Sequence, residues 1–361
     1  MNFLEIERHL PRWYDEGTSH HFESGPGLGK SSIMAAAPRI VGEKLGLRLG
    51  IVIINGAQLT PMHTIGFGVP KHYETHSEMC FTDPFFMRTE EGKRLEEYDG
   101  GWIFVDEADK ADTDVKKILG EGALSGRFGP HKLPPGWRVW TAGNRAGDRS
   151  GSTKELDHLI NRRCRIPVTP HLPSWVAWAN ANGALPVTKT FVETYPQVVF
   201  TDTVPEKQGP WATPRSIMLV DNKLQHIIKY HGAIPDEEFV VTEIDGLIGS
   251  AATAQFMAHV RLELKLPKFE KIVADPTGTE VPDANAPDAR MLVAYNLAHR
   301  VCKDTIGKVI TYMKRLPDPF AVTFFKAMGT RAPMLMMTPE ARAWVKENGA
   351  LMTLMHSLSQ A

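Results

Sequence analysis

The hydrophobic positions in the first half of the chain fall into five short runs, separated by stretches with a helical period. The runs are Ser19–Glu23, Leu47–Ile54, Trp102–Val105, Val139–Ala142 and Arg165–Val168. They lack a regular alternation of polar and apolar residues, which is typical of strands buried on both faces of a parallel sheet. Strands that alternate with helices in this way predict an α/β domain.

The pattern changes at Pro170-His171-Leu172-Pro173, and from Ser174 onward no run favours a strand. A stretch rich in Pro, Asp, Gly and Thr at 274–287 is expected to be a linker. Helices are expected over Ala289–Arg315, Pro319–Met328 and Pro339–Glu347. The predicted organisation is an α/β domain (1–170), a helical domain (171–270), a linker (271–288) and a helical C-terminal segment (289–361).

Composition narrows the class of protein. Of the 361 residues, 42% are hydrophobic and 23% are charged, with a net charge of −1, which is typical of a globular protein without a general basic field for nucleic acid. The three cysteines, Cys80, Cys164 and Cys302, are too few and too scattered for a disulfide framework. No stretch is typical of a signal peptide or a membrane span, so we expect a cytoplasmic protein.

A glycine-rich segment follows the first predicted strand and opens a helix. Ser24-Gly25-Pro26-Gly27-Leu28-Gly29-Lys30-Ser31 fits the Walker A pattern G-x-x-x-x-G-K-[ST], except that Ser24 stands at the first glycine position. Small residues let backbone N–H groups surround phosphates, the lysine reaches the β- and γ-phosphates, and the hydroxyl binds Mg²⁺. The residues expected to bind nucleotide are Gly25, Pro26, Gly27, Leu28, Gly29, Lys30, Ser31 and Ser32. The alternative is an ordinary glycine turn.

Two acidic residues end the third predicted strand, as in a Walker B motif. We expect Asp106 to hold Mg²⁺ together with Ser31, and Glu107 to activate the attacking water as general base. The alternative is a solvated helix start, which also favours acids. The Asp-Glu pair and the absence of an Asn/Thr-Lys-x-Asp segment argue against a GTPase.

Three later residues have candidate catalytic roles. Asn144, at the tip of the next strand, could orient the attacking water, or it could be a turn residue. Arg162 could stabilise charge on a transferring phosphoryl group of a neighbouring subunit, although the adjacent Arg163 leaves this assignment open. Arg215 follows the N-cap Thr213 and Pro214 at a helix start, and could sense the γ-phosphate.

This ordered set of motifs resembles the AAA+ ATPases, and more narrowly their MoxR-type branch. The resemblance covers about residues 18–230 and lies in the segments Val105–Ala111, Leu133–Val139, Ala142–Arg145, Thr213–Arg215, Trp175–Ala179 and Thr190–Pro196. It implies a five-stranded parallel sheet of order 5-1-4-3-2, a helical lid over 171–270, and binding of ATP and Mg²⁺. It also implies a hexameric ring that remodels a client, often a protein with a von Willebrand factor A domain.

Other functions remain open at this point. The loops Gly66–Lys71 and Ser125–Lys132 each carry an aromatic residue, which could grip a client in the pore of a ring or pack on the core. A nucleic-acid motor would need a basic pore, and its candidate residues are Lys71, His72, Arg127 and Lys132. A nucleotide-locked scaffold without turnover is a third hypothesis. His72, His76 and Cys80 could share a helix face and bind a metal, but packed or solvated side chains are favoured.

Overall fold

The chain divides into two structural units. The computed structural model describes residues 1–145, 160–201, 204–206 and 208–349. Met1–His171 and residues 204–206 form the first unit, while Leu172–Thr201 and residues 208–349 form the second. The part of the predicted α/β domain at 146–159 and the last part of the predicted C-terminal segment, at 350–361, lie outside the described residues.

Every strand among the described residues belongs to the first unit. They are β1 (His20–Glu23), β2 (Leu49–Asn55), β3 (Gly68–His72), β4 (Ser77–Phe81), β5 (Gly100–Asp106), β6 (Arg127–Phe128), β7 (His131–Lys132), β8 (Trp137–Gly143) and β9 (Cys164–Pro167). Five strands pair in parallel in the spatial order β2-β5-β8-β1-β9. When these five are numbered along the chain, the order read from β9 is 5-1-4-3-2, which confirms the expected sheet.

Among its described residues, the first unit has the helices α1 (Phe3–Glu16), α2 (Lys30–Leu45), α3 (Pro61–Ile65) and α4 (Thr113–Ser125). Those of the second unit are α5 (Leu172–Ala181), α6 (Pro186–Thr194), α7 (Pro196–Val199), α8 (Pro214–His231), α9 (Glu238–Ile248), α10 (Ser250–Lys265), α11 (Phe269–Ala274), α12 (Pro287–Arg300), α13 (Ile306–Met313), α14 (Asp318–Arg331) and α15 (Pro339–Glu347). Short 3₁₀ turns lie at Gly56–Gln58, Phe85–Met87, Leu95–Glu97, Ala108–Lys110 and Pro333–Met337.

Strand β5 shows why the sheet is buried on both faces. Trp102 and Phe104 join the apolar cluster that contains residues of α1 and α2. Ile103 and Val105, which alternate with them, join the cluster that contains residues of α4. Since successive side chains of a strand point to opposite faces, every apolar residue of β5 is removed from water, and no polar alternation is seen.

The described residues of the second unit form helices joined by loops, with no strand among them. One apolar cluster draws on α5, α6, α8, α9 and α10, and a second on α11 to α15. Trp175 is buried in the first of these clusters, whereas Trp178 on the same helix is 42% exposed. Inside this unit the buried side chains of His299 and Glu193 form a hydrogen-bonded pair at 2.9 Å, which ties α12 to α6.

The five predicted sheet strands are confirmed to within two residues at each end. The predicted helix Ala289–Arg315 is two helices, α12 and α13, because the chain turns at Cys302, whose N–H donates to the Thr305 hydroxyl at 3.0 Å. The hairpins β3–β4 and β6–β7 were not predicted from the pattern. Among the helices that the structure describes, none combines the length and the apolar character needed to cross a bilayer.

Candidate nucleotide site

The glycine-rich loop joins the carboxyl end of β1 to the first residue of α2. Gly27 and Gly29 adopt φ values of 75° and 94°, a left-handed backbone conformation that glycine reaches without strain. Gly29 is the N-cap of α2, so the helix begins at Lys30. The loop therefore ends at a helix N-terminus, where free N–H groups and the helix dipole favour an anion.

Lys30 is surrounded by oxygen atoms of its own unit. Its Nζ donates to the Ser24 hydroxyl at 2.8 Å, and it lies 3.3 Å from the carbonyl oxygens of Ser24 and Gly25. It also lies 3.3 Å from Oδ1 of Asn144. The residue is only 8% exposed. The ammonium group therefore contacts the first two residues of the loop and the residue that follows β8.

The two expected Mg²⁺ ligands are in direct contact. Strand β5 ends at Asp106, and the hydroxyl of Ser31 donates to Oδ2 of this carboxylate. The other carboxylate oxygen, Oδ1, accepts the N–H of Glu107 at 2.9 Å. A hydroxyl and a carboxylate are oxygen ligands of the kind that Mg²⁺ prefers, so the residues fit the ion.

Glu107 has an unusual backbone conformation. Its φ of 51° makes it the one non-glycine residue with positive φ in the described part of the chain. Backbone conformations of this kind are uncommon outside glycine and cluster at functional sites. The Glu107 carboxylate is partly exposed and accepts from Lys110 Nζ at 2.9 Å. It is therefore accessible, and it is held by one ion pair three residues along the chain.

Strand β8 brings Asn144 to the same edge of the sheet. Asn144 directly follows β8, which lies between β5 and β1. Its amide oxygen is the Lys30 acceptor described above, and its backbone N–H faces Asp109. Burial raises the pKa of Asp109, and the backbone N–H of Asn144 opposes this change. The structure thus brings together Lys30, Ser31, Asp106, Glu107 and Asn144.

The two adjacent arginines have different surroundings. Arg163 donates from Nη1 to the Thr141 hydroxyl at 2.7 Å, and this hydroxyl lies 2.7 Å from Nδ1 of His21. Arg162, whose side chain is 29% exposed, makes a longer contact: its Nη1 is 3.6 Å from Oε2 of Glu121 on α4. Arg163 is thus bonded inside its own unit, and Arg162 is the better placed of the two to reach another molecule.

Arg215 belongs to the second unit, where it lies in the first turn of α8 and is exposed. The Thr213 hydroxyl accepts the Ser216 N–H at 3.1 Å and Pro214 is the first helical residue, so the predicted capped helix start is confirmed. The cap fixes the position of Arg215 relative to its own helix. Its role as a γ-phosphate sensor stays a prediction.

The two aromatic loops differ in exposure. Phe128 is 1% exposed and packs edge-on against Phe86, with ring centroids 4.8 Å apart, so its loop follows the core-packing alternative. Phe67 is 56% exposed at the base of the β3–β4 hairpin, whose strand residues are exposed or nearly so.

The metal hypothesis for His72, His76 and Cys80 fails because the segment is this hairpin and not a helix. His72 pairs with Ser77, and Cys80 pairs with Val69. No cluster of three or more metal-ligating side chains occurs among the described residues. His72 and Cys80 lie on the two strands and His76 lies in the turn between them, so a spacing of four residues does not bring the three side chains together as it would on a helix.

Sequence reasoning missed two residues at the site. Lys110 holds Glu107, and its position three residues after an acid at a helix start is the signal that could have indicated the pair. Gly56 lies against the turn after β5: a Cβ atom there would lie 2.9 Å from the Glu107 carbonyl oxygen. The chain after β2 can therefore approach the Asp106–Glu107 turn only with glycine at this position.

Comparison with known proteins gives distant structural likenesses only. No protein-family model matches the chain, and no curated protein is detectably similar to it in sequence. Among solved structures, a variant of RuvB from Thermotoga maritima is 13% identical, with 87% of this chain and 86% of that chain covered and a TM-score of 0.37. NtrX from Brucella abortus in complex with ATP is 15% identical, with 83% and 68% covered and a TM-score of 0.38. At such values these proteins carry no evidence about the activity of this chain.

The fold class itself follows from the chain's own architecture. A five-stranded parallel sheet of order 5-1-4-3-2 carries a glycine-rich loop after its first strand and is followed by helical segments. This is the α/β class that the motifs predicted. The site lies at the carboxyl ends of the strands, where open α/β sheets bind their ligands.

Proposed function

We propose that this chain is an ATPase of the AAA+ type, with motifs most similar to the MoxR branch. The observation that carries the proposal is the hydrogen bond from Ser31 to Asp106. It joins the end of the phosphate loop to the end of β5, so that two motifs 75 residues apart form one oxygen-rich site.

In this proposal each residue has one task. Lys30 and the N–H groups of the loop bind the β- and γ-phosphates, and Ser31 and Asp106 hold Mg²⁺. The bound ion would neutralise charge on the transferring phosphoryl group. Glu107 takes the proton from the attacking water, and Asn144 orients that water.

The arginines complete the proposed mechanism. Arg162, which is partly exposed, would reach the nucleotide of a neighbouring subunit, while Arg163 anchors the segment on Thr141. Arg215 would respond to the γ-phosphate and pass the nucleotide state to the helical unit.

The assembly would be a hexameric ring. Its client would be a protein, and a protein with a von Willebrand factor A domain is the leading candidate.

The exposed hairpin is the proposed contact with the client. Phe67, Val69 and Met79 are 56%, 47% and 59% exposed, which suits a polypeptide more than a phosphate backbone. Lys71 lies opposite Glu78 on the paired strand, so the hairpin is not a basic surface, and nothing there favours the nucleic-acid motor. The accessible Glu107 argues against the hypothesis of a scaffold that binds nucleotide without hydrolysing it. Measurable ATP hydrolysis would exclude that hypothesis.

The test is the ATP hydrolysis rate per chain over a range of protein concentrations, for the wild type and Arg162→Ala. A shared site predicts a wild-type rate that rises steeply with concentration and a variant rate that stays near zero throughout. Arg12→Ala is a matched control, because Arg12 is an exposed arginine paired with Glu16 on α1. Equal rates for the wild type and Arg162→Ala at every concentration would overturn the trans-acting role.

A further inference from the structure

The residue at the first position of the phosphate loop is a serine where the motif has glycine. Ser24 is fully buried, at 0% exposure. Its hydroxyl donates to the carbonyl oxygen of Gly25 at 2.9 Å and accepts from Nζ of Lys30 at 2.8 Å. A glycine at this position could offer Lys30 its carbonyl oxygen but not the hydroxyl.

The hydroxyl makes the shortest of the four contacts described for Lys30. The other oxygen atoms, from the Ser24 and Gly25 carbonyls and the Asn144 amide, all lie at 3.3 Å. An ammonium group has three N–H donors, and four acceptors already surround this one. A phosphate oxygen that binds Lys30 must therefore take a donor from an oxygen atom of the protein.

The backbone at position 24 does not itself call for glycine. Ser24 is not among the residues with positive φ, so side chains of ordinary stereochemistry fit there without strain. Its N–H also faces the Gly143 carbonyl oxygen at 3.4 Å, which connects the loop start to the end of β8. The serine is thus compatible with the loop, and its hydroxyl is the group that distinguishes this loop from the usual one.

Building on the proposed function, we propose that Ser24 is a positioning residue whose hydroxyl binds the Lys30 ammonium group and competes with nucleotide phosphate for it. The ligand is a nucleoside diphosphate or triphosphate. Nucleotide binding exchanges the Ser24–Lys30 hydrogen bond for a contact with phosphate, and the reverse exchange assists the release of ADP.

The experiment measures the binding and dissociation of a fluorescent N-methylanthraniloyl derivative of ADP with the full chain. Removing the hydroxyl in Ser24→Ala or Ser24→Gly is expected to lower the Kd by about 3- to 10-fold, mainly through slower dissociation. The glycine variant adds no atoms to the loop, so it keeps the test valid if alanine disturbs the fold. The thermal midpoint of each variant is measured alongside.

The matched control is Ser19→Ala, since Ser19 is also a buried serine of this unit but donates to the Ala123 carbonyl oxygen at 2.7 Å. Its Kd is expected to equal that of the wild type. A merely structural role of Ser24 would raise the Kd of both position-24 variants and lower their thermal midpoints, which is the opposite sign.

Two results would be decisive against the proposal. An unchanged or raised Kd in folded Ser24→Ala and Ser24→Gly would overturn the role of Ser24 while leaving the nucleotide site intact. A wild-type chain that binds neither ADP nor ATP would overturn the proposed function, and with it the role of Ser24.

Discussion

The hydroxyl of Ser31 donates a hydrogen bond to the carboxylate of Asp106, and this contact joins the phosphate loop to the tip of β5. We expect Mg²⁺ to be held by these two groups. Asp106→Asn should therefore lower ATP hydrolysis by about 10²-fold or more and shift its Mg²⁺ dependence to higher concentration.

The measurement is the hydrolysis rate over a Mg²⁺ titration, with removal of the ion by a chelator as the zero point. Asp114→Asn is the control, because Asp114 is an exposed acid that pairs with Lys117 on α4. An Asp106→Asn variant with the Mg²⁺ dependence of the wild type would show that Asp106 does not hold the ion.

Glu107 is expected to act as the general base. Glu107→Gln keeps the size of the side chain but cannot accept a proton, so ATP binding should stay within about 2-fold of the wild type while hydrolysis falls by about 10²- to 10⁴-fold. Equilibrium binding and single-turnover hydrolysis separate the two effects. Glu43→Gln, an exposed glutamate beside Arg39 on α2, should change neither. Hydrolysis by Glu107→Gln at the wild-type rate would refute the assignment.

The features that could be predicted from the sequence are those that leave a local pattern, chiefly the buried strands and the motifs at their ends. The five sheet strands follow from short apolar runs that end in loop motifs, because a strand covered on both faces has to be continuously apolar. Their spatial order is instead implied by the resemblance of the motifs to the AAA+ ATPases. The meeting of Ser31 with Asp106 also follows, since parallel strands place their carboxyl ends at one edge.

The remainder depends on contacts between residues distant in the chain. The β3–β4 hairpin is exposed on both faces, so burial imposes no alternation that the sequence could show. The two adjacent arginines have different partners, Glu121 for Arg162 and Thr141 for Arg163, and each partner precedes its arginine by 20 residues or more. Likewise, Phe128 is buried because it packs against Phe86, which lies 42 residues earlier in the chain. The sequence around Phe128 and Phe67 does not show which of the two has such a partner.

The adjacent arginines give a prediction about stability. Arg163→Ala removes the donor to Thr141 inside the unit, and we expect it to lower the free energy of unfolding by about 1–3 kcal/mol. Arg162→Ala removes one surface ion pair with Glu121, and should change that free energy by less than about 1 kcal/mol. Chemical denaturation measures both. The reverse order of effects would contradict the anchoring role of Arg163.

The buried His21 predicts how stability depends on pH. Burial, and after it the positive charges of Arg163, Arg165, Lys30 and Lys116, together lower its pKa to about 3. Since Thr141 Oγ1 accepts from Arg163, its own proton is free to go to Nδ1 of His21, which suits a neutral imidazole. Protonation would place a second positive charge beside the Arg163 guanidinium, which is bonded to the same hydroxyl.

The sign follows from the two protonation states. The unfolded chain, with a His pKa near 6.5, binds a proton that the folded chain excludes, so His21 favours folding above pH 6.5 and this contribution is lost as the pH falls towards 3. The loss in the free energy of unfolding is about 1.4 kcal/mol for each pH unit below 6.5.

Urea denaturation at pH 7, 6 and 5 should show this slope in the wild type and a smaller slope in His21→Gln. His76→Gln, which alters an exposed histidine of the same unit, should keep the wild-type slope. Parallel pH dependences for the wild type and His21→Gln would mean that other groups set the acid sensitivity.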